Sequence, residues 1–333
     1  MRHCPLWTRT ARSSWHFERG GAQAKQPHES RPALGNFIGE LMALGAAFSF
    51  CLASTTYTLA GRKFGASVSM ALSLAVSLIF LLPLHQALYG EFFPMAASGQ
   101  RWLLLGASSL AGFVMSALFL LRAFQMIGPR LTMLLGATSP IFAALLAWLL
   151  LGQRLPPYAV LGIALVLAGV LTVVSGDAQT NRQNTRVGYR RGLLMALAAA
   201  VMQGTSYVLM AEGVTDDFPV MSASIMRTVF ALVVLWLAIV LRGNLQQNLR
   251  LIVDQPLALF HIALAALTGP VLGATLVLAS LQFTSVGISS TLTGTTPILM
   301  LPIGFVVFGD YITKRAISGT CVAVTGVALL FAA

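Results

Sequence analysis

The feature that most constrains this chain is an internal repeat. TSPI at Thr138 to Ile141 returns as TTPI at Thr295 to Ile298, 157 residues later. The same offset carries Gly112 onto Gly269, Val114 onto Val271, Gln125 onto Gln282, Gly152 onto Gly309, Gly162 onto Gly319 and Gly169 onto Gly326. Gaps of a few residues then align the front ends, with GELMALGAA from Gly39 over GLLMALAAA from Gly192. Each copy holds five apolar runs. In the first they lie near Phe37 to Ala60, Val68 to Leu88, Trp102 to Phe124, Leu131 to Leu151 and Tyr158 to Ser175; in the second, near Gly192 to Met210, Val220 to Leu241, Leu257 to Phe283, Ile288 to Phe308 and Ala316 to Phe331. An odd number of crossings per copy turns the second copy upside down relative to the first. Such inverted repeats underlie many secondary carriers.

Lipid is the solvent this composition suits: 57% of the 333 residues are hydrophobic and 9% are charged. In hydrocarbon the backbone must satisfy its own hydrogen bonds, and a helical crossing needs roughly twenty apolar residues. Strands of a membrane barrel would alternate and read more polar. The expected fold class is an all-α membrane protein of ten transmembrane helices, in two inverted five-helix repeats.

The formal charge of +11 would suggest nucleic acid in a soluble protein, but most of the Lys and Arg sit in the N-terminal tail and short loops. They read as topology and headgroup signals, so no nucleic-acid partner is expected. Residues 1–35 read as a disordered or mis-started tail, 36–176 as the first repeat, 177–191 as a hydrophilic linker and 192–333 as the second repeat. With a cytoplasmic N-terminus that side holds 8 basic residues against 11 opposite, so charge bias leans the other way without fixing orientation.

No GxxxxGK[ST] phosphate loop, HExxH pair or CxxC pair is present, and the histidines stand apart. No cofactor, metal or catalytic residue is expected.

The duplicated block PIFAALLAWLLLGQRL at Pro140 to Leu155 and PILMLPIGFVVFGDYI at Pro297 to Ile312, each followed by a glycine-spaced last helix, resembles the drug/metabolite transporter superfamily, in its branch with two EamA domains. The likeness covers about residues 36 to 333. It implies a ten-helix fold with a central cavity and movement of small organic metabolites. Members usually carry Gly-Glu at the end of the fourth helix of each copy, where this chain has Gly152-Gln153 and Gly309-Asp310.

Several residues are candidates for contact with a solute. Pro140 and Pro297 each remove a backbone donor in mid-run, freeing the carbonyls of Gly136 and Thr293 and predicting a kink. Thr138 and Thr295 stand beside them, either as solute ligands or simply healing the kink. Arg227 lies two turns into its run, where an unpaired charge costs roughly 2.5–3.5 kcal/mol. It either holds an anionic group or snorkels to the interface; Arg122, near a run's end, is read as snorkelling. Tyr57, Tyr207, Gln203, Gln125 and Gln282 read as lining a shared polar-aromatic space, with interface anchoring as the alternative for the tyrosines. Glu40 opens the first run, as a proton-coupling group or as a carboxylate placed by the helix dipole.

The reading is a secondary transporter of amino-acid-like solutes, tending to export, in the inner or plasma membrane. Its expected partners are a small-molecule substrate and the lipid bilayer, with a homodimer left open. A proton-coupled exporter of lipophilic or cationic drugs is the alternative, and an intramembrane enzyme without a recognisable motif stands as the different class.

Overall fold

The computed structural model describes residues 33–64, 66–95, 97–175, 186–241, 256–303, 306 and 313–331; every regular element among them is helical. Most of the tail and of the linker, with Gly309 and Asp310, lies outside the described residues. The first half comprises α1 (Ala33–Phe64), α2 (Ala66–Tyr89), α3 (Gly99–Ser109), a π-helical stretch (Leu110–Ser116), α4 (Ala117–Gly136), α5 (Ser139–Leu151) and α6 (Pro157–Ser175). The second comprises α7 (Arg186–Gly213), α8 (Val220–Leu241), α9 (Pro256–Ala266), a second π-helical stretch (Leu267–Gly273), α10 (Ala274–Phe283), α11 (Val286–Thr293), α12 (Thr296–Ile303) and α13 (Lys314–Phe331). Among the described residues nine helical spans are long and apolar enough to cross a membrane, and Pro157–Val173 is a shorter apolar helix.

Although α4 runs without a gap to Gly136, it does not run straight. A Cβ on Gly136 would lie 3.6 Å from Leu120 Cδ1, whereas sixteen residues of straight helix span about 24 Å. The chain therefore doubles back between these residues, in a stretch that contains Gly128-Pro129. The limb after the turn continues into α5, giving the apolar span Thr132–Leu151.

That span is broken rather than kinked. Ala137 and Thr138 carry ψ near zero between α4 and α5, and Pro140 falls at the second position of α5, where a missing N–H costs no helical bond. The second copy repeats the device: α11 ends at Thr293, Gly294 has ψ −8°, and Pro297 is the second residue of α12. Thr138 Oγ1 donates to Leu135 O at 2.6 Å and Thr295 Oγ1 to Leu292 O at 2.7 Å. Hydroxyls at matching positions thus add a second donor to carbonyls that already accept the backbone N–H of the same threonine.

The two halves interlock by a symmetric exchange. Gly39 of α1 packs on Phe283 of α10, and Gly192 of α7 packs on Met126, 157 residues before Phe283. Deeper in, Gly269 meets Ala53 and Gly112 meets Ser206. In both pairs the α1 or α7 residue and its partner obey one rule: α1 and α7 differ by 153 in numbering, their partners by 157. The first helix of each half therefore lies antiparallel to the third helical span of the other.

The closing contact has the same symmetry. A Cβ on Gly162 of α6 would lie 3.2 Å from Gly326 O, and one on Gly319 of α13 would lie 2.7 Å from Gly169 O. Residue numbers rise along α6 as they fall along α13, so these equivalent helices run antiparallel. Seven-residue glycine spacing keeps both close approaches on one helical face.

Both π-helical stretches also occupy equivalent positions, 157 residues apart at each end, but their causes differ. In the first, Ser206 Oγ donates to Ser108 O at 2.7 Å, the carbonyl that an α-helix would give to the Gly112 N–H. In the second, Pro270 has no N–H to offer Ala266. One ladder is opened by a neighbouring hydroxyl and the other by its own proline.

Candidate functional site

The opened ladder of the first half forms the floor of a polar cluster around Arg227. This residue sits on α8 and is 4% exposed. Its Nε donates to Ser108 Oγ at 3.0 Å, and its guanidinium lies 4.9 Å from the centre of the Phe113 ring. Ser109 Oγ donates to Arg227 O at 2.6 Å, tying α8 to the start of the π-helical stretch. The geometry suits cation–π attraction, which strengthens when the cation is desolvated.

Tyr207, one residue past Ser206 on α7, extends this cluster. Its hydroxyl stands near the Thr293 side chain and within electrostatic reach of Arg227. Thr293 is the last residue of α11, so the contact carries the cluster to the break before α12. Thr293 Oγ1 itself donates to Ser289 O at 2.8 Å. Among the described residues no Asp or Glu forms an ion pair with Arg227.

A separate set of bonds fastens the loops at one end of the helices. Arg101 Nη2 pairs with Asp216 Oδ2 at 3.3 Å and donates to Thr215 O at 3.1 Å, while its guanidinium covers the Phe218 ring at 4.5 Å. Gln282 Nε2 donates to the carbonyls of Val214 and Phe218, at 3.3 and 2.8 Å. Gln153 Oε1 accepts from Val286 N at 3.1 Å. Buried His85 contacts Ser222 Oγ through Nε2 at 2.7 Å and Glu91 O through Nδ1 at 2.6 Å. A backbone carbonyl only accepts, so Nδ1 carries a proton. Three of these fastenings, through Arg101, Gln153 and His85, join the first half to the second.

The residues singled out from sequence are thus distributed over several places. Arg227, Tyr207 and, through Gly112, Gln203 gather in one region: a Cβ on Gly112 would lie 3.7 Å from Gln203 Oε1. Tyr57 bonds to Ser73 on α2 and lies beside Gly269. The interlocking rule makes Ser54, not Tyr57, the counterpart of Tyr207. Gln282 serves the α7–α8 turn, and the side chain of Gln125 lies outside the described residues. Thr138 and Thr295 mark the two helix breaks, together with Pro140 and Pro297. Glu40 is 3% exposed and stands two turns inside α1, because the helix begins at Ala33. A helix-dipole role fades beyond the first turn, so that account loses ground. Arg122 is exposed. Ser206 belongs to the same polar run as Gln203 and Tyr207, whereas Ser108 and Phe113 were not legible as functional: a serine and a phenylalanine in an apolar run carry no signal of their own.

The model of the EamA-like transporter family matches residues 37–175 and again residues 190–332. The chain belongs to the EamA-like transporter family. It is a multi-pass membrane protein of the drug/metabolite transporter type, built from two EamA repeats. One solved crystal structure of a protein superposes with a TM-score of 0.65 over 90% of this chain and 96% of that one, at 16% identity, which is a likeness of fold. No curated protein matches the chain.

Proposed function

We propose that this EamA-type chain is a secondary transporter whose ten helices form two inverted quintets and move small organic metabolites by alternating access. The antiparallel crossing of α6 and α13, through Gly162–Gly326 and Gly169–Gly319, carries the reading. Equivalent helices related in this way belong to halves of opposite polarity, and such halves rock about a shared site near the bilayer midplane. The two helix breaks at equivalent positions support a site there, since irregular backbone at membrane depth belongs against protein or a water-lined cavity. The inter-half fastenings through Arg101, Gln153 and His85 are the contacts that opening at that end must release.

The substrates are amino-acid-like or related solutes in the inner or plasma membrane, and the direction is export. Buried Glu40 supports a second reading, proton-coupled exit of lipophilic cations. Proteoliposomes assayed with and without a pH gradient against amino acids and cationic dyes separate the two. Amino-acid movement without dye movement supports the metabolite reading. Dye movement driven by the gradient supports the other, and a lack of movement by dyes, amino acids and N-acyl amino acids alike rejects both.

A further inference from the structure

We propose that the Arg227 cluster is a one-sided anion site, which selects solutes carrying a single carboxylate on an otherwise uncharged body. The inference rests on the transporter reading above and adds the chemical class of the solute. Its basis is an imbalance of charge: the partners described for the guanidinium are the Ser108 hydroxyl, the Phe113 ring and the nearby phenol of Tyr207. All are neutral, and a cation held 4% exposed among them has its charge unanswered. A carboxylate answers it, since a guanidinium offers it a flat, two-pronged set of donors.

The two halves are not alike here. MALS at Met70 to Ser73 aligns with MSAS at Met221 to Ser224, and Ser77 with Thr228, so the counterpart of Arg227 is Val76. The counterparts of Ser108 and Ser109, 157 residues on, are Ala265 and Ala266, both fully buried. At these equivalent positions one half is cationic and hydroxylated, and the other is aliphatic. A single guanidinium with no repeat of it at the equivalent place fits a solute with one charged end and an uncharged, partly apolar remainder. A second carboxylate would find no second guanidinium, since the residue equivalent to Arg227 is Val76, and would leave a desolvated charge unpaired. A free ammonium fares no better: Glu40 is the one buried carboxylate among the described residues, and it lies in the second turn of α1, beside the Gly39 contact with Phe283 and Thr284.

Binding to the purified full-length protein tests this without requiring transport. The probes are N-acetylleucine, its primary amide, leucine and N-acetylglutamate, titrated calorimetrically. The expected order places N-acetylleucine first, with the amide about tenfold or more weaker, as loss of a hydrogen-bonded charge pair implies. Arg227→Gln abolishes the acid-over-amide preference, and Arg227→Lys keeps part of it because a point charge remains. Ser108→Ala, a milder change, weakens the acid several-fold while retaining its preference over the amide. Equal binding of acid and amide, stronger binding of leucine or N-acetylglutamate, no binding by any probe, or a preference that survives Arg227→Gln overturns the proposal. Those results leave alternating access standing, because that reading is tested separately, by solute movement in proteoliposomes and by the opposed polarity of the two halves.

Discussion

Gly169 and Gly319 meet backbone to backbone across the α6–α13 contact: a Cβ on Gly169 would lie 2.5 Å from Gly319 O, and one on Gly319 would lie 2.7 Å from Gly169 O. Neither obstacle is the end of a flexible side chain, so a larger residue must push the helices apart. Gly169→Val is expected to cost at least the roughly 1–3 kcal/mol typical of overpacking. Thermal unfolding in detergent should show a lowered midpoint and a smaller monodisperse fraction.

The approach of Gly112 to Ser206 predicts non-additivity. Gly112→Ala forces a methyl against the Ser206 side chain, whose Cβ lies 3.0 Å from the position of the added carbon. Ser206→Gly removes that obstacle while depriving Ser108 O of its donor. The double variant should be more stable than the sum of the single losses implies, by about 0.5–3 kcal/mol, as coupled neighbours show. A double-mutant cycle by chemical denaturation checks it; strict additivity would mean the two sites do not touch.

Much of this architecture is legible in the sequence because the spacing of small residues and prolines is preserved between the halves. Gly162, Gly169, Gly319 and Gly326 mark a close helix contact through their seven-residue spacing alone. Pro140 and Pro297 announce an irregularity, but whether a proline kinks a helix or starts a new one depends on where hydrogen bonds resume. Here Thr138 and Thr295 cap the preceding turn, and the helix restarts. The first π-helical stretch has no local signature, since its cause is the Ser206 hydroxyl from another helix; Pro270 does foreshadow the second. Tyr57 and Tyr207 look equivalent by composition, yet a three-residue difference in register sends one to Ser73 and the other to Thr293. Gln282 reads as a solute ligand until the tight α7–α8 turn brings the Val214 and Phe218 carbonyls to its amide.

Arg101 makes three contacts, of which the ion pair is the weakest. Asp216 is 85% exposed, so its pairing is worth about 0–1 kcal/mol. Asp216→Asn should therefore shift the melting midpoint little, whereas Arg101→Ala also loses the Thr215 carbonyl bond and the Phe218 ring contact and should shift it more. Parallel thermal melts of both variants measure the difference, and equal shifts would place the ion pair above the other two contacts.

His85 holds two partners in a buried position, so size alone does not replace it. His85→Phe keeps a ring but leaves Ser222 Oγ and Glu91 O without that partner, an expected loss of about 1–3 kcal/mol for the buried Ser222 hydroxyl, Glu91 being exposed to solvent. Adding Ser222→Ala to His85→Phe should recover part of the loss. Denaturant unfolding of the single and double variants reads it directly.

Opposed polarity of the two halves is tested most directly by side-specific labelling of equivalent turns. Asp216 lies in the α7–α8 turn, and Lys63 is its counterpart, 153 residues earlier at the end of α1. With Cys4, Cys51 and Cys321 replaced, Lys63→Cys and Asp216→Cys are each treated with a membrane-impermeant maleimide in intact cells and in inverted vesicles. Labelling of the two from opposite sides of the membrane is the predicted result, and labelling of both from the same side would contradict the inverted arrangement.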